Sequence, residues 1–350
     1  MSDKQIEREA DQLKGINLPE QSKLLIGHEI EFNMLEKQIV DNRLPSAILL
    51  HGIRGIGKAT FAFALAKKIL HITGNEQLDI INQQVYAGSH PNLFVLRISA
   101  HEKRKGFYSA IRIEDVRAMQ RKLRLFAGVS AYKICIIDAI DDCNINSANA
   151  LLKILEEPPK DTIFILISHS IGSILPTIRS RTQSVALRTL NNAQLSQILQ
   201  NSNFDIEHHS LQNTIDLAKG VPRRAIQISQ LEGEEILVKI QNWLNSAQQR
   251  HNSSHIELVS NILKAGSAEE NFAKDILLDW IASEAKNIAI QTPINKNHLA
   301  SITNLWNKSQ KLFAKADIYN LDRKQVLIST FDAIKAHLEL ITNNRSVELT

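Results

Sequence analysis

Unbroken apolar runs and helically spaced apolar positions alternate along the first 188 residues, and that alternation predicts the architecture. Ala47, Ile48, Leu49 and Leu50 form a short continuous run. A glycine-bearing loop follows, then Ala62, Leu65, Ala66 and Ile69 at helical spacing. The order is strand, loop, helix. Two further apolar runs, 134–137 and 163–167, flank a helical segment over 147–156 that Pro158 and Pro159 terminate. Strands apolar on both faces and alternating with helices predict an α/β fold, a parallel sheet covered on each side. Beyond Arg188 the strand-like runs stop: 190–230 reads as short helices, and from Glu234 the helices lengthen. Leu327, Phe331, Ile334, Leu338 and Ile341 form one stripe there, and Phe272, Ile276 and Trp280 another. Both stripes are read as packing faces.

Composition sharpens this division. Residues 223–350 contain two of the 13 glycines and one of the eight prolines, so this stretch is poor in helix breakers. Two cysteines, Cys135 and Cys143, are too few for a disulfide framework or a four-cysteine zinc site. The N-terminus alternates charges, and no apolar stretch approaches the roughly 18 residues of a membrane span. A cytoplasmic protein without membrane association is expected. Net charge is only +4, so any nucleic-acid surface must come from local clustering.

Gly52-Ile53-Arg54-Gly55-Ile56-Gly57-Lys58 has the spacing of a phosphate-binding loop, set between a predicted strand and a predicted helix. Gly52, Gly55 and Gly57 let backbone N–H groups turn inward around phosphate oxygens, and Lys58 adds a point charge. The next position of such loops carries a hydroxyl for Mg²⁺, but here it is Ala59. Thr60 sits about 100° further round the helix and is a poor substitute. Asp138 ends the second strand where a Mg²⁺-directing carboxylate belongs, yet Ala139 stands where a water-orienting glutamate is needed. A missing general base costs on the order of 10²- to 10⁴-fold. ATP bound without turnover, with Mg²⁺ weak at best, or no nucleotide at all, is the expectation.

Three segments carry a family resemblance. They are Asn42-Arg43-Leu44-Pro45-Ser46-Ala47 leading into the loop, 149–159 (NALLKILEEPP), and 175–183 (LPTIRSRTQ). With them the chain resembles the clamp-loader branch of the AAA+ ATPases, and within it the delta-prime family of bacterial DNA polymerase III, over residues 24–230. The resemblance implies an AAA+ nucleotide-type α/β domain (23–189) behind a polar N-terminal extension (1–22, expected to be loosely ordered). A small helical lid (190–232) and an all-α collar that oligomerises (233–350) would follow. It implies that Arg181 reaches into a neighbouring subunit's ATP site, where a fixed guanidinium offsets charge developing on the γ-phosphate, an effect worth about 10³ to 10⁵ in rate. Thr182 stands where the family usually has Cys, and pairing of Arg181 with a local carboxylate is the competing reading. Ser168 falls at the sensor-1 position, and Arg223, in Gly220-Val221-Pro222-Arg223, resembles the phosphate-facing arginine of the lid. Relatives often carry a four-cysteine zinc module that 61–134 lacks, so no zinc is expected. His251 and His255, at i and i+4 but without an acidic partner to complete a metal-ligand set, read as surface residues, and adjacent His208 and His209 cannot share a helical face.

The implied role is a non-motor subunit of the clamp loader. It would work with the motor and delta subunits to open the sliding clamp and set it on primer-template DNA. The alternative is an ATP-hydrolysing motor subunit or a related AAA+ remodeller, which Ala59 and Ala139 disfavour. DNA contact has one local candidate. Between Arg97 and Arg124 nine basic residues face three acidic ones, and Ile113, Val116, Met119 and Leu123 suggest an amphipathic helix with Arg117 and Arg121 outward. A solvated helix or a subunit contact explains the same pattern.

Overall fold

The computed structural model describes residues 12–13, 16–101, 106–125, 132–201, 208–230, 233–248, 254–291, 294–319 and 321–347. Lys103, Arg104 and Lys105 of the basic segment, His251, and most of the N-terminal extension lie outside the described residues, as do the side chains of His208 and His209. The chain divides into two compact units, Met1–Arg223 and Arg224–Thr350.

In the first unit, five parallel strands stand in the order β2-β3-β4-β1-β5. They are β1 (Ala47–His51), β2 (Leu93–Arg97), β3 (Lys133–Asp138), β4 (Thr162–Ser168) and β5 (Gln183–Ala186). Helices α1 (Glu29–Val40), α2 (Lys58–Gly74), α3 (Leu78–Tyr86), α4 (Ile113–Leu125), α5 (Ile145–Glu156) and the single turn α6 (Pro176–Arg179) alternate with them. α7 (Asn192–Asn201) and α8 (His208–Ala218) follow, and the unit boundary falls inside α9 (Pro222–Gln230). The expected α/β fold is present, with a parallel sheet covered on both faces.

The three expected strands are β1, β3 and β4. β4 is buried along its whole length, and β1 and β3 for all but their ends. One core, with Leu65, Ala66 and Ile69 of α2, covers one face, and another, with Val116 and Leu123 of α4 and Leu151 of α5, covers the other. Edge strands β2 and β5 were not expected. Each is largely half-exposed, so neither shows an unbroken apolar run.

The described end of the N-terminal extension, 16–22, departs from the expectation of looseness. Leu18 is buried, Pro19–Gln21 forms a 3₁₀ turn, and the carbonyls of Glu20 and Ser22 each accept a hydrogen bond from Lys67 Nζ at 3.1 Å. Glu20 also pairs with Arg97 at 3.4 Å, and that guanidinium lies over the Phe63 ring. These partners are distant in sequence and leave no local pattern.

The second unit is helical. Its elements are α10 (Gly233–Gln248), α11 (Ile256–Ala265), α12 (Ser267–Ile290), α13 (Lys296–Tyr319) and α14 (Arg323–Val347). Leu327, Phe331, Ile334 and Leu338 are buried, as are Phe272 and Ile276, so the stripes are packing faces. His255 is not a surface residue. Its ring stacks on Phe331 with centroids 5.5 Å apart, meets Trp243 edge-on at 5.7 Å, and pairs with Asp332 at 3.2 Å. Among the described residues no helix is long and apolar enough to cross a membrane.

Two buried imidazoles make this unit acid-sensitive. His337 shares a 2.8 Å hydrogen bond with Ser301, and burial together with nearby His298 lowers its pKa to about 4. Burial lowers His255 as well, against the pull of Asp332. Both rings fold as neutral groups. Their contribution is complete above the ordinary value of 6.5 and is lost as pH falls from there toward 4. All three tryptophans, Trp243, Trp280 and Trp306, belong to this unit. Urea midpoints followed by tryptophan fluorescence are therefore expected to fall between pH 6.5 and 4.5, and His337→Gln to flatten part of that fall; identical pH slopes for the two proteins would contradict it.

Candidate functional site

The carboxyl ends of the strands come together at one edge of the sheet, as parallel pairing requires. β1 and β4 run in register from Ala47 opposite Phe164 to His51 opposite Ser168, so the loop after β1 starts beside the end of β4. That loop is the glycine segment. Gly57 caps α2 at φ +101°, a conformation that suits glycine. Gly55, at φ +84°, leaves room for a close approach: a Cβ there would sit 2.5 Å from Cβ of Arg223. Arg223 N–H donates to the Gly55 carbonyl at 3.2 Å, and His28 Nε2 shares a 3.1 Å bond with the Ile56 carbonyl. The loop is thus held from two sides.

Lys58 is buried and folds back over its own loop, donating from Nζ to the carbonyls of Gly52 (2.8 Å) and Ile53 (2.7 Å). Ala59 is partly buried against the core, and Thr60 stands one position further along α2. At the end of β4, burial pushes His169 well below the usual imidazole range, and the positive charges of Lys58, Arg54 and Arg223 push it the same way. Lysine, two arginines and a neutral imidazole therefore share one field. Such a cluster suits an anion with several phosphates.

A divalent metal fits less well. Ala59 offers no side-chain oxygen. Asp138 lies opposite Arg97 in the β2–β3 register, and its charge favours the protonated form of that arginine, so its field is already partly balanced. Asp141 fastens the end of β4. It accepts hydrogen bonds from the backbone N–H of His169 (2.7 Å) and Ser170 (3.3 Å) and from Ser168 Oγ (3.3 Å). Ser168 is fully buried with its hydroxyl on Asp141.

Arg181 stands apart from these groups. It follows α6, is exposed, and makes its described contacts on α5 and α6: Nη1 donates to the Thr177 carbonyl at 2.9 Å, and Nη2 pairs with Glu156 at 2.9 Å. The local carboxylate partner exists, and it lies within the Glu-Glu-Pro-Pro segment. Arg54, Asp141 and Glu156 were not singled out from sequence as site residues. Arg54 was visible as a cation inside the loop, whereas the other two act through folded contacts.

α4 buries Val116, Met119 and Leu123 and exposes Arg117, Arg121, Lys122 and Arg124. Arg117, Gln120 and Arg124 form one wall of a groove of about 430 Å³, with Asn149 and Lys153 of α5 on the other. Gln120 crosses it to donate to the Ala150 carbonyl at 3.0 Å. Arg112, by contrast, is spent on Asp115 through two bonds of 3.0 and 2.9 Å and on the Tyr108 ring, and Arg97 on Glu20.

The family described as DNA polymerase III, delta subunit, matches residues 27–191. The chain is 33% identical to DNA polymerase III subunit delta' of Pseudomonas aeruginosa over 183 residues, which is 51% of this chain and 54% of that protein. The match thus spans about half the length of that relative. It is 27% identical to DNA polymerase III subunit gamma of Buchnera aphidicola over 304 residues, 83% of this chain and 81% of that protein. A solved DNA polymerase III gamma subunit-related protein of Thermotoga maritima superposes with a TM-score of 0.42 at 17% identity, over 88% of this chain and 99% of that one, too loosely to add to the sheet order.

Removing the Asp141 carboxylate leaves Ser168 and two backbone donors without this acceptor. Asp141→Ala is expected to destabilise the α/β unit by about 1–3 kcal/mol. Urea unfolding followed by far-ultraviolet circular dichroism checks this, and an unchanged midpoint would contradict it.

Proposed function

We propose, from the match of residues 27–191 to the DNA polymerase III delta subunit family and their similarity to delta' subunits, that the whole chain is a non-motor subunit of a clamp loader. It assembles with motor and delta subunits through its helical C-terminal region, helps open the sliding clamp, and sets the clamp on primed DNA. Its lid is the run of short helices over 190–232.

The observation that carries this reading is the exposed guanidinium of Arg181, anchored on α5 and α6 and absent from the described contacts of the chain's own phosphate loop. An arginine held at the surface in this way can be offered to a neighbour's nucleotide, where it offsets negative charge on the γ-phosphate as the leaving group departs. The chain's own loop suits a complementary, non-turnover role. Lys58, Arg54 and Arg223, with the glycine backbone, would hold the phosphates of ATP, which supplies only binding here. No carboxylate stands at Ala139 to orient water, and the residues present do not suit Mg²⁺. The motor-subunit reading loses ground on the same positions.

A second element of the reading is direct DNA contact. It is favoured by the groove between α4 and α5, where Arg117 and Arg124 on one wall and Lys153 on the other present cations with amides between them. Arg121 extends the same exposed face of α4.

Two outcomes are expected in a complex reconstituted with motor and delta subunits. Arg181→Ala lowers DNA-stimulated ATP turnover by about 10²-fold or more while assembly on gel filtration is unchanged; full turnover in that variant would sink the trans role. Arg117→Glu with Arg121→Glu lowers the slope of log affinity for primer-template against log salt by roughly 0.9 for each phosphate no longer neutralised, and an unaltered slope would remove the DNA assignment.

A further inference from the structure

We infer that Glu156 is the positioning residue for Arg181, setting the direction in which the guanidinium leaves the surface. The inference rests on the trans-arginine reading and adds to it the group that makes the arginine ready before a neighbour arrives. Glu156 is the last residue of α5, and Arg181 lies two residues beyond α6. The two nitrogens of the fork are held from different elements. Nη1 donates to the Thr177 carbonyl at 2.9 Å and to Ser180 Oγ at 3.4 Å, while Nη2 donates to Glu156 Oε1 at 2.9 Å. A planar fork fixed at both ends has a defined plane, whereas one held at Nη1 alone can swing about its long stem.

Both anchors ride on one core. Asn144 caps α5 by accepting from Ser147 N–H at 2.9 Å, and Leu151, Ile154 and Leu155 bury its inner face. Ile178 of α6 is buried in the same cluster. The spacing between the Thr177 carbonyl and the Glu156 carboxylate is therefore set by packing rather than by flexible surface chain. The pair itself is half exposed, with 37% of the Arg181 side chain and 48% of the Glu156 side chain accessible. Water screens such a pair, so it aims the guanidinium without holding it against a phosphate, whose charge-assisted bonds are stronger. Glu156 thus orders the arginine and yields it.

The test is steady-state ATP turnover by the complex reconstituted with motor and delta subunits. Glu156→Ala is expected to lower kcat by about tenfold, with KM changed by less than about twofold, because a misdirected group fails in the transition state rather than in substrate binding. Glu156→Gln, whose amide oxygen still accepts from Nη2, is expected to recover turnover to within about threefold of the parent. In an Arg181→Ala background, Glu156→Ala is expected to have no further effect. Glu156→Lys removes the same anchor by repulsion and gives the same readout should the alanine variant assemble poorly. Parental kcat in both Glu156→Ala and Glu156→Lys, while Arg181→Ala is impaired, would overturn the positioning role and leave the trans arginine standing. Parental kcat in Arg181→Ala would overturn both at once, since nothing would remain to be positioned.

Discussion

Parallel pairing of β1 with β4 is the constraint on which the rest of the first unit depends. Parallel strands need long crossovers, and the helices that make them must lie on the faces of the sheet, so the sheet interior becomes apolar on both sides. Pairing also brings all carboxyl ends to one edge. With β1 between β4 and β5, the chain leaves β1 toward one side and returns on the other, which opens a crevice at that edge. The glycine loop, Asp138, His169 and the Arg223 backbone meet there because of strand order, although they span residues 52 to 223 in sequence. A one-residue slip of β1 against β4 would move the start of the loop away from His169 and turn every apolar side chain of the strand to the other face.

Legibility in the sequence follows from how local each determinant is. β1, β3 and β4 could be read because both faces of each strand are buried, so no polar residue interrupts the run. β2 and β5 could not, since an edge strand is half wet and its pattern blends into loop. The phosphate loop was legible as spacing, and Arg181 as a resemblance. Asp141 and Glu156 were not, because their roles are contacts across 27 and 25 positions that no periodicity encodes. His255 is the same lesson in the helical unit. Nothing in its sequence neighbourhood points to Asp332, yet folding brings that carboxylate to 3.2 Å and lays the ring on Phe331. Leu18 and Glu20 were hidden for the opposite reason: a polar stretch with scattered apolar residues looks solvated until Lys67 and Arg97 are seen to grip it.

The charge arrangement at the sheet edge separates holding phosphates from cleaving them. Cations gather there: burial first, and then the charges of Lys58, Arg54 and Arg223, keep the His169 imidazole neutral. The carboxylates nearby have other work. Asp141 accepts three hydrogen bonds at the end of β4, and Asp138 shares a field with Arg97, which is itself tied to Glu20. A divalent cation needs anionic oxygens whose charge is still available, and a hydrolytic water needs a base. The edge therefore suits a polyanion, and on the proposed non-turnover reading, restoring turnover would take more than a serine at position 59. It would also require a carboxylate at position 139, which is buried at 2% exposure, where an uncompensated charge is disfavoured. On the proposed reading, absence of hydrolysis would follow from the packing around β3 as well as from the loop, and Arg181, held at the surface by Thr177 and Glu156, would be the group offered to another subunit.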